Sequence, residues 1–453
     1  MKGGNDMVAN SANVPGEFSS ARRRAITLIG LGIFIDGYDL LVIGTANLFL
    51  KSALHLSASQ VGLVGSAGVF GALVGMLLFG NLTDRFGRKT IFVFNLMFFV
   101  VASILSAFVT NSWELIVMRL VVGLGIGADI PTAMAFLAEV SSKQRRGAIL
   151  GSLTQGLWTG GAIVSVAVAL VVSHFAGPST WRWLLGLGAV PALVILILRQ
   201  KLPESPRWLM NRGKVQEAEI ACQRLGITYD EFKEMERVRN SKEKISGTGW
   251  GKKISLVALV FWLNALAGAV STISSPYIFK YVSHATLTGS MLFTLMLWAA
   301  NFLGVVAGSF IIDKISHKSL ALISQIPTIA FALIMALTVK DAVIFIPAFF
   351  LFGFFDWGGA SALQWAWGSE IFPTQFRGFS QGIINGAGRF AVIITTYLIP
   401  VAIATIGFSW AMVIMAVPVV LYCVIVASNS LFETKGLSLE DIEMRESSTL
   451  APR

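Results

Sequence analysis

Twelve stretches of mostly apolar residues govern what this chain can become: 25–49, 59–82, 90–110, 115–140, 148–173, 182–199, 254–281, 288–312, 319–338, 343–370, 380–405 and 408–428. A helix that crosses a bilayer needs roughly 20 such residues, so each stretch is expected to be a spanning helix. The composition agrees, because only 13% of the residues are charged and 55% are hydrophobic, whereas about a quarter of a soluble domain is charged. The sequence therefore predicts an all-α membrane protein with 12 transmembrane helices.

Two segments about half a chain length apart repeat each other. Glu139 is followed by Arg146-Gly147, and Glu370 by Arg377-Gly378, at the same internal spacing. Upstream, Asp84-Arg85-Phe86-Gly87-Arg88-Lys89 is echoed by Asp313-Lys314-Ile315-Ser316-His317-Lys318. Parallel structural repeats of this kind build many secondary transporters, so two pseudo-symmetric six-helix bundles are expected. The corresponding partition is an N-terminal tail (1–24), a first bundle (25–199), a linker with short helices (200–253), a second bundle (254–428) and a C-terminal tail (429–453). Lys214 to Leu225 reads as an amphipathic helix within the linker, with a second helical piece at Asp230 to Val238.

The net charge of +10 is distributed by topology. Arg22–Arg24, Arg85–Lys89, Lys143–Arg146, Arg199–Lys253, Lys314–Lys318 and Arg377 fall on one side if the helices alternate, and the other side carries scattered charges such as Lys51, Arg182, Lys280 and Lys340. Positive charge marks the cytoplasmic side, which predicts cytoplasmic N- and C-termini in a multi-pass protein of the cell membrane. It also removes the reason to invoke a nucleic-acid partner. The first 24 residues carry no apolar core with a small-residue cleavage site, so no removed signal peptide is expected. Cys222 and Cys423 suggest neither a disulfide framework nor a metal site.

Charged residues at membrane depth are costly and mark pathways by default. Here they are Asp36 and Asp39 in helix one, Arg119 and Asp129 in helix four, Asp356 in helix ten and Arg389 in helix eleven. Asp36 and Asp39, three apart, share one helix face. Two carboxylates on one buried face cannot both ionise comfortably, so one is expected to load and release a proton in competition with Arg119. The bland readings are a static cap or ion pair for the helix-one acids and repair of a broken backbone for Asp129 beside Pro131. Asp356 stands among glycines that loosen its helix and invite water, and Asp36, Asp129 and Asp356 are co-candidates with Asp39 for the proton-coupling site. Arg389 offers a planar fork suited to carboxylate or phosphate oxygens, or else it pairs internally with Asp356. Tyr38, Gln155, Asn264, Gln364 and Trp365 are candidate linings of a central cavity. The glycine series Gly62, Gly65, Gly68, Gly71, Gly75 and Gly123, Gly125, Gly127 predicts close helix packing.

With these residues in view, the chain resembles the major facilitator superfamily over roughly residues 20–440. Gly80-Asn81-Leu82-Thr83-Asp84-Arg85-Phe86-Gly87-Arg88-Lys89 is similar to that superfamily's loop between helices two and three. Pro203-Glu204-Ser205-Pro206-Arg207-Trp208 and Glu433-Thr434-Lys435-Gly436 resemble motifs of the sugar-porter branch, with Phe432 where a proline is usual. Trp365, five residues before Glu370, matches that branch's helix-ten tryptophan. Asp39 matches that branch's helix-one aspartate, Arg119 and Glu139 sit at its helix-four spacing, and its aspartate–arginine pair is tied to proton coupling. Asp36-Gly37-Tyr38-Asp39-Leu40 is similar instead to phosphate and aromatic-acid symporters. Gly125 to Pro131 resembles helix four of the phosphate symporters, and Arg389 stands where anion carriers have a basic residue. Three departures count. Asn264 replaces the phosphate symporters' aspartate, Asp356 stands where they carry a neutral residue, as if the acid had moved from helix seven to ten, and Asn264-Ala265 replaces the sugar porters' paired glutamines.

The resemblance implies a monomeric secondary transporter without a cofactor, using alternating access and proton symport of a small polar solute. An anion (organic acid, sugar acid or phosphate-like) is the favoured cargo, and a neutral sugar, by symport or facilitated transport, is the alternative. Asp84, Arg85, Gly87, Arg88, Glu139, Arg146, Glu370 and Arg377 are the expected gating residues of the inner face. A membrane solute receptor and a uniporter remain the other readings. No nucleophile set or metal spacing suggests an enzyme, and Gly123-Leu124-Gly125-Ile126-Gly127-Ala128 lacks the preceding strand of a nucleotide loop.

Overall fold

A computed structural model describes residues 20–140, 153–230, 232–233, 250–312, 314–360, 363, 366–368, 371–372 and 374–434, without the side chains of 80–81, 84, 138–139 and 374–379. The described chain is helical throughout. The first half contains α1 (Ser20–Ala53), α2 (Ala58–Phe86), α3 (Arg88–Ser106), α4 (Ser112–Val140), α5 (Thr154–Ala176), α6 (Thr180–Leu187) and α7 (Ala189–Arg199). Two short helices follow, α8 (Pro206–Asn211) and α9 (Val215–Leu225). The second half contains α10 (Trp250–Gly268), α11 (Ser275–Tyr281), α12 (Leu287–Ile311), α13 (His317–Leu337), α14 (Ala342–Gly358), α15 (Thr374–Thr405) and α16 (Phe408–Ser428).

Ten of these stretches are long and apolar enough to cross a membrane; one of them, Thr154–Arg199, runs through two of the expected spans, and Ala342–Gly358 is a shorter apolar helix. Together they account for the twelve spans, and the amphipathic helix expected in the linker is α9. The second linker piece falls largely outside the described residues.

Local chemistry sets many of the ends. Ser57 accepts from the Gln60 amide while the Gln60 side chain accepts from the Ser57 amide, a reciprocal cap that opens α2. Thr286, Ser316 and Asp341 cap α12, α13 and α14 through their side-chain oxygens. The glycine series packs backbones together. A Cβ on Gly71 would collide with the Leu120 carbonyl oxygen, one on Gly123 with that of Gly68, and one on Gly127 with that of Ala72, so α2 and α4 touch main chain to main chain.

Two spans expected to be continuous are interrupted. Helix seven stops at Gly268, turns through 269–274 and resumes as α11. Helix ten stops at Gly358, next to Gly359. The halves meet along α2 with α15, α5 with α12, and α1 with α11. At the end that carries Lys51 the halves touch main chain to main chain. A Cβ on Gly44 would strike the Ile273 carbonyl oxygen, and one on Gly62 that of Tyr397. Ser59 Oγ lies 3.3 Å from Tyr397 Oη, and Lys51 Nζ sits 3.9 Å over the Tyr281 ring.

Candidate functional site

The acids named from sequence separate into three arrangements. Asp39 and Arg119, each 1% exposed, form a forked pair in which the guanidinium donates to Oδ1 at 3.0 Å and Oδ2 at 2.8 Å. Arg119 also donates to the Asp39 carbonyl oxygen at 3.1 Å. Gly68 makes the room, since a Cβ there would stand 3.1 Å from Arg119 Nη2. A buried pair of this kind is held by mutual compensation, and neutralising one partner strands the other.

Asp129 pairs with Arg199, a residue the charge pattern assigns to the inner loops. Arg199 Nη1 lies 2.5 Å from Asp129 Oδ1, and Asn95 donates to the same oxygen at 2.9 Å. Arg199 further donates to the carbonyls of Leu28 (3.1 Å) and Ile29 (2.8 Å), and its guanidinium lies 4.2 Å from the Phe92 ring centroid. Gly32 is the only residue type that fits here, because a Cβ would collide with both Arg199 Nη2 and Asp129 Oδ2. Asp129, a proton-coupling candidate with backbone repair as its bland reading, thus stands in a buried ion pair joining α1, α3, α4 and α7. An arginine at the end of an apolar span, where its side chain can turn inward, was the available signal.

Asp36 is 2% exposed, and its Oδ2 has no hydrogen-bond partner among the described residues. It borders a cavity of about 10 Å³ lined also by Gly32, Asn95 and Asp129, room for at most one water. Its charge is felt by Asp129, Asp39, Arg199 and Arg389. Arg389 on α15 is half-buried and forms no ion pair among the described residues. The acid that acts on it electrostatically is Asp36 of the other half, which corrects the expected internal pair with Asp356.

Asp356, 4% exposed, instead accepts from Asn264 Nδ2 at 3.2 Å. Tyr38 is 3% exposed with its ring 3.5 Å from a Cβ position on Gly188. Gln155 and Asn264 are half-buried. Gln364, Trp365, Arg146, Glu370 and Arg377 lie outside the described residues or side chains, as do the side chains of Asp84 and Glu139, so only Arg85, Gly87 and Arg88 of the gating set are placed.

That inner loop is clasped from the linker. Gly87 has φ +95°, the left-handed region, and a Cβ there would strike Glu204 Oε2. Glu204 Oε1 accepts the amide of Arg88 at 2.9 Å, its Oε2 accepts that of Lys89 at 3.1 Å, and Arg88 donates to Ser205 Oγ at 3.0 Å. An acid at the start of α3 answers that helix's positive end. The other half repeats the device, with Ser316 donating to Glu433 and His317 Nδ1 lying 2.8 Å from Thr434 Oγ1. Arg85 is exposed, and its carbonyl accepts from Arg212 at 2.7 Å.

Between the halves stand three tryptophans that no sequence signal singled out. Trp158 of α5 stacks on Trp357 of α14 with centroids 5.6 Å apart, and Trp298 of α12 meets both edge-on at 5.8 and 5.5 Å. Such pairs contribute roughly 0.5–1.5 kcal/mol beyond burial. Trp357 Nε1 lies 3.4 Å from Ser271 Oγ in the turn that interrupts helix seven.

Three comparisons bear on these features. The family described as "Sugar (and other) transporter" matches residues 25–445. The glucose transporter GlcP of Staphylococcus epidermidis is 31% identical over 445 residues, 93% of this chain and 97% of that protein. The inner membrane metabolite transport protein YgcS of Escherichia coli is 29% identical over 421 residues, 89% of this chain and 90% of that protein. Among solved structures, the xylose transporter XylE from E. coli in a partially occluded inward open conformation matches with a TM-score of 0.79 at 21% identity. That match covers 93% of this chain and 100% of that one, and at this identity it speaks to the fold alone.

Proposed function

Because the chain belongs to the sugar (and other) transporter family, we propose that it carries a sugar-like, polyhydroxylated solute across the cell membrane by alternating access coupled to protons. The halves 25–199 and 254–428 are the units that rock, with both tails and the 200–253 linker on the cytoplasmic side. The single observation that carries the coupling is the Asp39–Arg119 fork, buried between α1 and α4. A proton on Asp39 removes the charge that Arg119 compensates, frees the guanidinium and lowers the cost of rearranging α1 against α4. Arg85, Gly87 and Arg88, with Asp84, Glu139, Arg146, Glu370 and Arg377, close the inner face in the opposite state.

Relatives named for glucose and xylose support the neutral sugar, over the anion that the sequence alone favours. One observation keeps an acidic sugar as the second reading: Arg389 is half-buried, forms no ion pair among the described residues and is acted on electrostatically by Asp36 of the other half. Proteoliposome uptake decides both points. Hexose or pentose accumulation that collapses with the pH gradient is expected, and Asp39→Asn should lose accumulation while retaining exchange. Full gradient-driven accumulation by Asp39→Asn would sink the coupling role. Uptake of a hexuronate that is lost in Arg389→Ala, with no hexose uptake, would move the assignment to the anion.

A further inference from the structure

Asp356 has no part in the coupling just described, and its surroundings are unlike those of the other acids. Asp39 and Asp129 each hold an arginine. Among the described residues Asp356 forms no ion pair. Every element around it offers neutral groups. Asn264 of α10 donates one hydrogen bond, and Gly268, the last residue of that helix, brings a Cβ position within 3.1 Å of Asp356 Oδ2. From α13 comes Gln325, fully buried, whose amide faces the carboxylate without a well-formed hydrogen bond. From α16 comes Tyr422, 2% exposed, a titratable group that interacts electrostatically with Asp356 and with its own neighbour Cys423, and whose hydroxyl has no partner among the described residues. From α12, Asn301 meets Gly353 one turn earlier on α14, and neither of its amide atoms has a partner among the described residues.

A bare carboxylate in such a place is costly unless something neutralises it. A proton does so and also explains the idle amide, because the acid's O–H has the Gln325 carbonyl oxygen available as an acceptor. The neighbour in sequence, Trp357, points the other way, into the indole cluster that joins the halves. Both helix interruptions lie here, at Gly268 and at Gly358-Gly359.

We propose that Asp356 is a second proton-exchanging site, enclosed by α10, α13, α14 and α16, and that its ionisation is transmitted through Trp357 to the aromatic contact with Trp158. The proton leaves an Asp356 oxygen for water when the site opens. The carboxylate left behind must then recruit donors from Asn264, Gln325 or Tyr422, or admit water, which pulls on the interrupted end of α14. The assignment stands apart from the Asp39–Arg119 reading and can hold or fail without it.

Trp357 supplies the readout. Tryptophan emission of the full chain, reconstituted in sodium-free buffer, should pass through a transition as pH rises from mildly acidic to mildly alkaline. The transition is expected to persist in Asp39→Asn and Tyr422→Phe, to vanish in Asp356→Asn and to shrink in Trp357→Phe. Asp356→Glu keeps the acid and should shift the midpoint, which covers the case of a poorly folded amide variant. The proposal is overturned by no transition in the parent chain, by one that survives Asp356→Asn, or by a midpoint unmoved in Asp356→Glu. It is overturned equally if sodium at fixed pH reproduces the change, since a metal cation would then be the occupant.

Discussion

A guanidinium in this molecule acts according to what surrounds its fork. Arg199 is saturated by Asp129 and two carbonyls, which makes it a structural tie between the first and last spans of its bundle. Asp129→Asn or Arg199→Met alone should cost about 3–5 kcal/mol, because each leaves a buried charge behind. The double variant should recover a large part of that loss, and thermal unfolding of the four members of the cycle in detergent measures it. Among the described residues Arg119 has one partner, Asp39, and an Nε without a hydrogen bond, which suits a group that changes its contacts. Sequence made the Asp39–Arg119 pair legible, since Arg119 is the lone cation placed deep in its span. It hid the Asp129–Arg199 pair, because an arginine at a span's end looks the same whether it faces water or turns inward. Arg389 was legible as unusual but not in its electrostatic partner, Asp36, 353 positions away in numbering.

Among the elements, α2 and α4 are set by the absence of side chains. Gly127→Leu should destabilise by about 1–3 kcal/mol through overpacking, if the bundle assembles at all. The same change at Gly251, where a Cβ meets nothing within 4 Å, should be neutral by comparison. Yield and melting temperature of the two variants test this. The glycine periodicity announced this contact plainly. The interruption of helix seven was not announced, since an apolar run continues through it, whereas Gly358 and Gly359 beside Asp356 foreshadowed that of helix ten. The nearest cue was the polar cluster Ser271-Thr272 and Ser274-Ser275, in which the hydroxyls of Ser271, Thr272 and Ser275 satisfy local carbonyls in the turn. Nor did composition reveal the indole cluster, because a tryptophan at a membrane interface and one at a packing junction carry the same letter.

At the scale of the whole molecule, the two halves close on each other at the end where α1, α2, α11 and α15 converge. Cysteines replacing Ser59 and Tyr397, whose hydroxyls lie 3.3 Å apart, should be joined by a short thiol crosslinker. Crosslinking should stop transport, and a cleavable linker should restore it; transport that continues at full rate after crosslinking would show that this seam does not part during the cycle. The twofold repeat was readable from Glu139 and Glu370, yet the matching clasps by Glu204 and Glu433 emerge only in three dimensions.

Main-chain atoms rather than charges bring Gly44 to Ile273 and Gly62 to Tyr397 at that seam. Shape complementarity of this kind has little for dissolved ions to screen. Added electrolyte should therefore leave most of that barrier standing, with Lys51 over Tyr281 as its one charged contact described above, and the larger dependence of turnover on ionic strength is expected from the opposite, arginine-rich mouth.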